Sequence, residues 1–124
     1  MAEGTLLLVN DETFDEEVLQ ARLPVVVDFF ADWSAPSKTA EAMLRTLSAS
    51  LSGRIKFTKV DVGESDRVTQ SYGIHTIPTY LFVDHGLERG REVGHVGSGE
   101  FRTILQRHFP EFVRPRRVGA DATE

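Results

Sequence analysis

Residues 25–38 read VVVDFFADWSAPSK, and this stretch decides the fold. Pro24–Phe30 is almost wholly apolar and rich in β-branched residues. Such a run predicts a strand buried on both faces, and therefore central in its sheet. Trp33 follows, and then two serines with Ala35 and Pro36 between them. The plain role for Ser34 is the N-cap of the helix that follows. Ser37–Leu51 is helical in composition, and Ala40, Met43, Leu44, Leu47 and Leu51 fall on one stripe. A buried strand thus runs almost directly into a helix, and any chemistry at residues 33–38 sits at that junction.

The flanking segments extend the alternation. Thr5–Val9 reads as a short strand, and Asn10–Ala21 as a helix with capping-box spacing between Thr13 and Glu16. Lys56–Val62 alternates as a strand, and Glu64–Tyr72 is a short helix closed by Gly73. Thr79–Val83 is a strand ended by the turn Asp84-His85-Gly86, and Arg91–Val96 is a weaker strand between Gly90 and Gly97. Ser98 is placed to cap a last helix through Phe109, with Phe101, Ile104, Leu105 and Phe109 inward. The order is β-α-β-α-β-α-β-β-α, an α/β class with a partly parallel sheet and a closing hairpin. One domain, residues 1–109, is expected; residues 110–124, with two prolines and Arg114, Arg116 and Arg117, read as a flexible tail.

Composition narrows the function. The chain has 124 residues, a net charge of −5 and no cysteine. The charge argues against nucleic-acid binding, which needs a basic face. The missing thiols exclude disulfides, thiolate metal sites and thiol nucleophiles in this chain. Its four histidines lack metal-ligand pair spacing, so no metal is expected. No apolar run approaches a bilayer span. The start carries Glu3 where a secretory signal is positive, so the sequence reads as cytoplasmic.

Several separated pieces resemble one family in order along residues 5–109, the thioredoxins. VVVDFFADWSAPSK is similar to the family's strand, tryptophan and Cys-Gly-Pro-Cys-Lys loop, with Ser34 and Ser37 at the cysteine positions and Ala35 at the glycine. FTKVDV resembles the next strand, YGIHTIPTYLFVDHG the segment that holds a cis-proline (here Pro78), and VGHVG the loop beside the site, with Gly94. The resemblance implies a thioredoxin fold: a mixed sheet of about five strands flanked by about four helices. The departures are the two serines, Ala42 where a helix-kinking proline is common, Gly63 where an acidic residue is frequent, and the extra tail.

The family's activity is dithiol–disulfide exchange, in which a thiolate attacks a target disulfide and a second thiol resolves the intermediate. Ser34 stands at the nucleophile and Ser37 at the resolving position. A helix terminus supplies on the order of 1–2 kcal/mol, too little to ionise an alcohol near neutral pH. As written, the chain cannot exchange thiols and needs no cofactor. Hydrolysis by Ser34 would require a base such as His75 or His95 within reach. The resemblance also implies that Asp28 is the buried acid handling the second cysteine's proton, with Lys59 near it; satisfaction of a buried Asp28 by Lys59 or water is the plainer alternative. It implies that Trp33, Ala35, Pro36, Ile77, Pro78 and Gly94 form a groove for an extended segment of a protein substrate or client. A partly buried core position is the plainer alternative for Trp33. A cysteine-containing parent would also meet a thioredoxin reductase.

Two readings follow. The selective loss of two sulfurs, with Asp28, Trp33, Pro36, Lys38, Lys59 and Pro78 kept, points to a Cys-to-Ser variant of an active protein disulfide reductase. The altered helix, Gly63 and the tail favour a natural redox-inactive module that binds proteins or acts as a chaperone.

Overall fold

The computed structural model describes residues 4–113. Five strands form one sheet: β1 (Leu7–Val9), β2 (Val25–Phe30), β3 (Lys56–Asp61), β4 (Thr79–Asp84) and β5 (Leu87–Val93). Their order is β1-β3-β2-β4-β5. β1 and β2 both run parallel to β3, whereas β4 is antiparallel to β2 and to β5. The helices are α1 (Ala35–Ser50), α2 (Asp66–Ser71) and α3 (Ser98–His108), joined by a short π-helical turn at Asp15–Leu19. This is the expected mixed sheet with about four helical segments.

All six residues of β2 are buried, as a run of apolar residues in a central strand requires. Alternation sends them to two cores. Val26 joins Phe57, Tyr80 and Phe82 against Leu44 and Leu47 of α1 and Phe101 and Leu105 of α3. Val25, Val27 and Phe29 join Val60, Leu81 and Val83 against Phe14, Val18 and Val68 on the opposite face. The ring of Tyr80 meets Phe101 edge-on at 4.8 Å between centroids. Residues beyond α3 continue onto the first core, where Val113 is buried and Phe112 packs. The tail beyond Val113 lies outside the described residues.

Three local expectations change. The segment after β1 is capped by Asn10, not Thr13. Asn10 Oδ1 accepts from the N–H groups of Glu12 and Thr13 at 2.9 and 3.0 Å, and Thr13 Oγ1 accepts from Asn10 N at 3.0 Å. The box is therefore shifted three residues upstream, and the segment's regular part is a π turn closed by the Gln20 N–H to Asp15 O bond. The last strand starts at Leu87, not Arg91. His85 and Gly86 both have positive φ, 51° and 81°, which makes a tight two-residue hairpin turn. β5 pairs with one strand only and its residues are mostly exposed, so it lacks the alternation that would have marked it. Its charges are held by Arg89–Asp84 and Arg91–Glu88 ion pairs at 2.8 and 2.7 Å. Finally, Gly97 rather than Ser98 is the N-cap of α3, with no side-chain cap bond.

Gly90 of β5 has a packing reason to be glycine. A Cβ there would strike the ring of His108, which stacks on Phe82 with centroids 4.8 Å apart. Among the described residues no helix is long and apolar enough to cross a membrane.

Candidate functional site

β2 ends at Phe30, and four residues turn the chain into α1. The turn is closed by the Ser34 N–H donating to Ala31 O at 3.1 Å. Ser34 is the N-cap: its backbone is extended, and its Oγ accepts from Ser37 N at 3.2 Å. Pro36 lies in the first turn, where a missing N–H costs no helical bond. Ser37 is buried one turn into the helix, and its Oγ accepts from Ala31 N at 3.4 Å. The Ser34 hydroxyl thus caps the first turn of α1, and the Ser37 hydroxyl ties that turn back to the residue after β2. We expect Ser34→Ala to lower unfolding free energy by about 1 kcal/mol through loss of the cap, measured by denaturant titration. An unchanged midpoint at unchanged slope would remove the cap from this account.

Trp33, in the same turn, is 78% exposed, so it is not a core aromatic. Ala35 and Pro36 are exposed beside it. Ile77 is half-buried and Pro78 is buried, and the peptide between them is cis. They precede β4 and lie outside its paired register, which starts at Thr79 opposite Val93. Gly94 donates its N–H to Pro78 O at 2.8 Å with φ 89°, a conformation that favours glycine. That bond brings Gly94 and Pro78 together. A groove of about 630 Å³ runs instead between α1 and α3, past Met43, Leu47, His95 and Arg102. It includes none of Trp33, Ala35, Pro36, Ile77, Pro78 or Gly94.

Asp28 is 1% exposed. Neither carboxyl oxygen has a hydrogen-bond partner among the described residues. Burial, with a smaller push from the charge of Glu41, raises its pKa to about 7, against a weaker downward pull from Lys59. Asp28 is aligned with Lys59 on β3 and with Tyr80 on β4. The Tyr80 hydroxyl is also buried without a partner among the described residues, and burial beside Asp28 raises its pKa.

Lys59 does not satisfy Asp28. Its ammonium lies 3.3 Å from Glu41 Oε1 and 5.0 Å from the centroid of Phe30. Glu41 is also held by Arg45, one helical turn on, at 2.9 Å. Burial alone would raise Glu41, but hydrogen bonds from Arg45 and Lys59 keep it below the usual carboxylate range. Neither Glu41 nor Tyr80 is marked as a site residue by the sequence. A glutamate and an arginine four apart on α1 were visible, but their reach to β3 depends on how the helix is rotated over the sheet. Tyr80 shares a face with Asp28 only once the strand register is known.

The arrangement has limited chemistry. No histidine hydrogen-bonds to Ser34 among the described residues, and His75 and His95 are exposed, so a Ser–His nucleophile is not assembled. Among the described residues no group of three His, Asp or Glu side chains is placed to hold a metal. A thiol at position 34 would sit at a helix N-terminus, where free N–H groups and the dipole favour a thiolate. The serine there gains a cap and nothing more.

Comparison with known proteins agrees with this geometry. The family model described as Thioredoxin matches residues 5–107. The chain is similar to Thioredoxin C-2 of Corynebacterium nephridii, 38% identical over 106 residues that cover 86% of this chain and 98% of that protein. It is similar to the Thioredoxin of Rickettsia bellii (strain RML369-C), 35% identical over 86 residues, 69% of this chain and 82% of that one. It is also similar to Thioredoxin M2, chloroplastic, of Arabidopsis thaliana, 35% identical over 103 residues, 83% of this chain and 55% of that one. With a five-stranded mixed sheet, a strand-to-helix turn bearing Trp33, and most of its length matched, the chain belongs to the thioredoxin family.

Proposed function

We propose that this chain is a disulfide-reductase scaffold silenced at Ser34 and Ser37, the two serines replacing the cysteines of an active parent. The observation that carries the proposal is the burial of Asp28 without a hydrogen-bond partner among the described residues. Such a carboxyl is costly to keep and has no evident structural use. It has a use beside a thiol whose proton must leave and return, and its pKa near 7 suits that role. In the parent, Ser34 would be the attacking thiol, Ser37 the resolving thiol, Asp28 the proton acceptor and Lys59 the charge that tunes it. Restoring Ser34→Cys with Ser37→Cys should restore the chemistry. A cytoplasmic location belongs to the same proposal, because a reductase needs a compartment that keeps thiols reduced.

What remains to the chain as written is binding. In this reading Trp33, Ala35, Pro36, Ile77, Pro78 and Gly94 make the binding groove; the exposure of Trp33, Ala35 and Pro36 supports an open surface, which suits an extended protein segment better than a small molecule. The natural redox-inactive binding module is the second reading, and one observation favours it. Both serine hydroxyls take structural hydrogen bonds, with Ser37 N and with Ala31 N. Serine codons at 34 and 37 in the natural gene would decide for that reading. On either one, Trp33→Ala should weaken binding of a target peptide by about tenfold or more, as expected for an exposed aromatic anchor. Isothermal titration with a peptide spanning a substrate cysteine replaced by serine measures it. Unchanged affinity would place binding elsewhere.

A further inference from the structure

Lys59 and Asp28 are aligned partners on adjacent parallel strands, so the lysine starts beside the buried carboxyl. Its side chain nevertheless carries the ammonium to Glu41 at 3.3 Å and over the ring of Phe30 at 5.0 Å. No ion pair joins it to Asp28 among the described residues. Glu41 is fixed in turn by Arg45, whose Nε and Nη2 both donate to Glu41 Oε2, at 3.2 and 2.9 Å. The two oxygens of Glu41 are therefore divided, one for Arg45 and one for Lys59. Among the described residues Asp28 keeps neither a hydrogen bond nor an ion pair.

We propose that Glu41 is a positioning residue that anchors the Lys59 ammonium at the edge of the core and so withholds it from Asp28. The preference follows from solvation. Glu41 is only half-buried and remains partly hydrated when paired, whereas moving the ammonium to Asp28 would take both charges out of water. The cation–π contact with Phe30 adds to the outer position. The titratable groups that act on Asp28 are then Glu41 from α1, Lys59 from β3 and Tyr80 from β4. Of these, Lys59 alone is a cation on a chain long and flexible enough to occupy either place. Burial, with the nearby Glu41 charge, then holds Asp28 as an acid that titrates near neutrality, against only a weak pull from the displaced Lys59. Removing the Glu41 charge should free Lys59 to approach Asp28 and stabilise its ionised form.

The test uses the chain as it exists and does not depend on what the serines replaced. The carboxyl carbon of Asp28 is titrated by NMR in the wild type, Glu41→Gln, Lys59→Met and the double variant. Glu41→Gln should lower the Asp28 midpoint by about one unit or more, the usual effect of a newly placed cation. In the Lys59→Met background the same substitution should lose most of that effect, because the cation it releases is gone. An Asp28 midpoint that Glu41→Gln leaves in place would overturn the proposal, even if stability changed. A full shift that persists without Lys59 would also overturn it, since Glu41 would then act by its own charge alone.

Discussion

Asp28→Asn should make the protein more stable than the wild type at pH 8, by about 2–4 kcal/mol, and the advantage should vanish near pH 4. In the folded chain Asp28 holds its proton up to about pH 7, against an ordinary value of 3.8. The folded state therefore binds the proton more tightly than the unfolded state. That contribution is complete below the unfolded value and is lost as the pH rises through the folded one. A shift of roughly three units corresponds to on the order of 4 kcal/mol. Two other groups run the opposite way. Glu41 is held below its usual range, so its contribution falls as the pH drops. His108 is lowered by burial and by Arg107, so its protonation also penalises the fold in acid. The wild-type curve sums these effects, and the difference between wild type and Asp28→Asn isolates Asp28. Urea unfolding at several pH values gives that difference. A difference independent of pH would mean that Asp28 titrates normally and is not the buried acid described above.

The second large effect is a gain of chemistry. Ser34→Cys with Ser37→Cys should take the chain from no catalysis of disulfide reduction to a rate well above the uncatalysed exchange. The backbone needs no rearrangement. Ser34 already caps α1, and Ser37 sits buried one turn in, close enough for its N–H to reach Ser34 Oγ at 3.2 Å. A thiol at 34 would meet the free N–H groups of the first helical turn and have its pKa lowered, which raises its thiolate fraction. The single Ser34→Cys variant should attack a disulfide but stall as a mixed disulfide, because no second thiol resolves it. The loss of the two hydroxyl hydrogen bonds should cost the reduced double variant about 1–2 kcal/mol of stability.

Much of this framework was legible in the residues, for a physical reason. β2 is apolar at nearly every position because it is covered on both faces, and α1 carries its apolar stripe because it is covered on one. Both patterns are direct imprints of burial. β5 left no such imprint, because it is an edge strand whose residues are mostly in water. The π turn leaves no mark of its own, because Phe14 and Val18 fit ordinary helical spacing, while the Asn10 cap ahead of it resembles a plain turn residue. At the site, Ser34, Ser37 and Trp33 were visible because one continuous segment carries them. Asp28 stood out as a charge inside an apolar run. The place of Lys59 was not legible. Its partner was decided by a competition between Asp28 and Glu41, which depends on strand register, helix rotation and the depth of each carboxyl.

The central claim is that these serines stand in a site otherwise ready for dithiol exchange. The measurement that tests it most directly is the redox behaviour of the folded Ser34→Cys, Ser37→Cys double variant, equilibrated across glutathione redox buffers and then assayed against a disulfide-linked protein substrate. The account predicts one reversible intramolecular disulfide and catalysed reduction, both absent from the chain with serines. A double variant that folds yet forms no reversible disulfide and reduces nothing would contradict it.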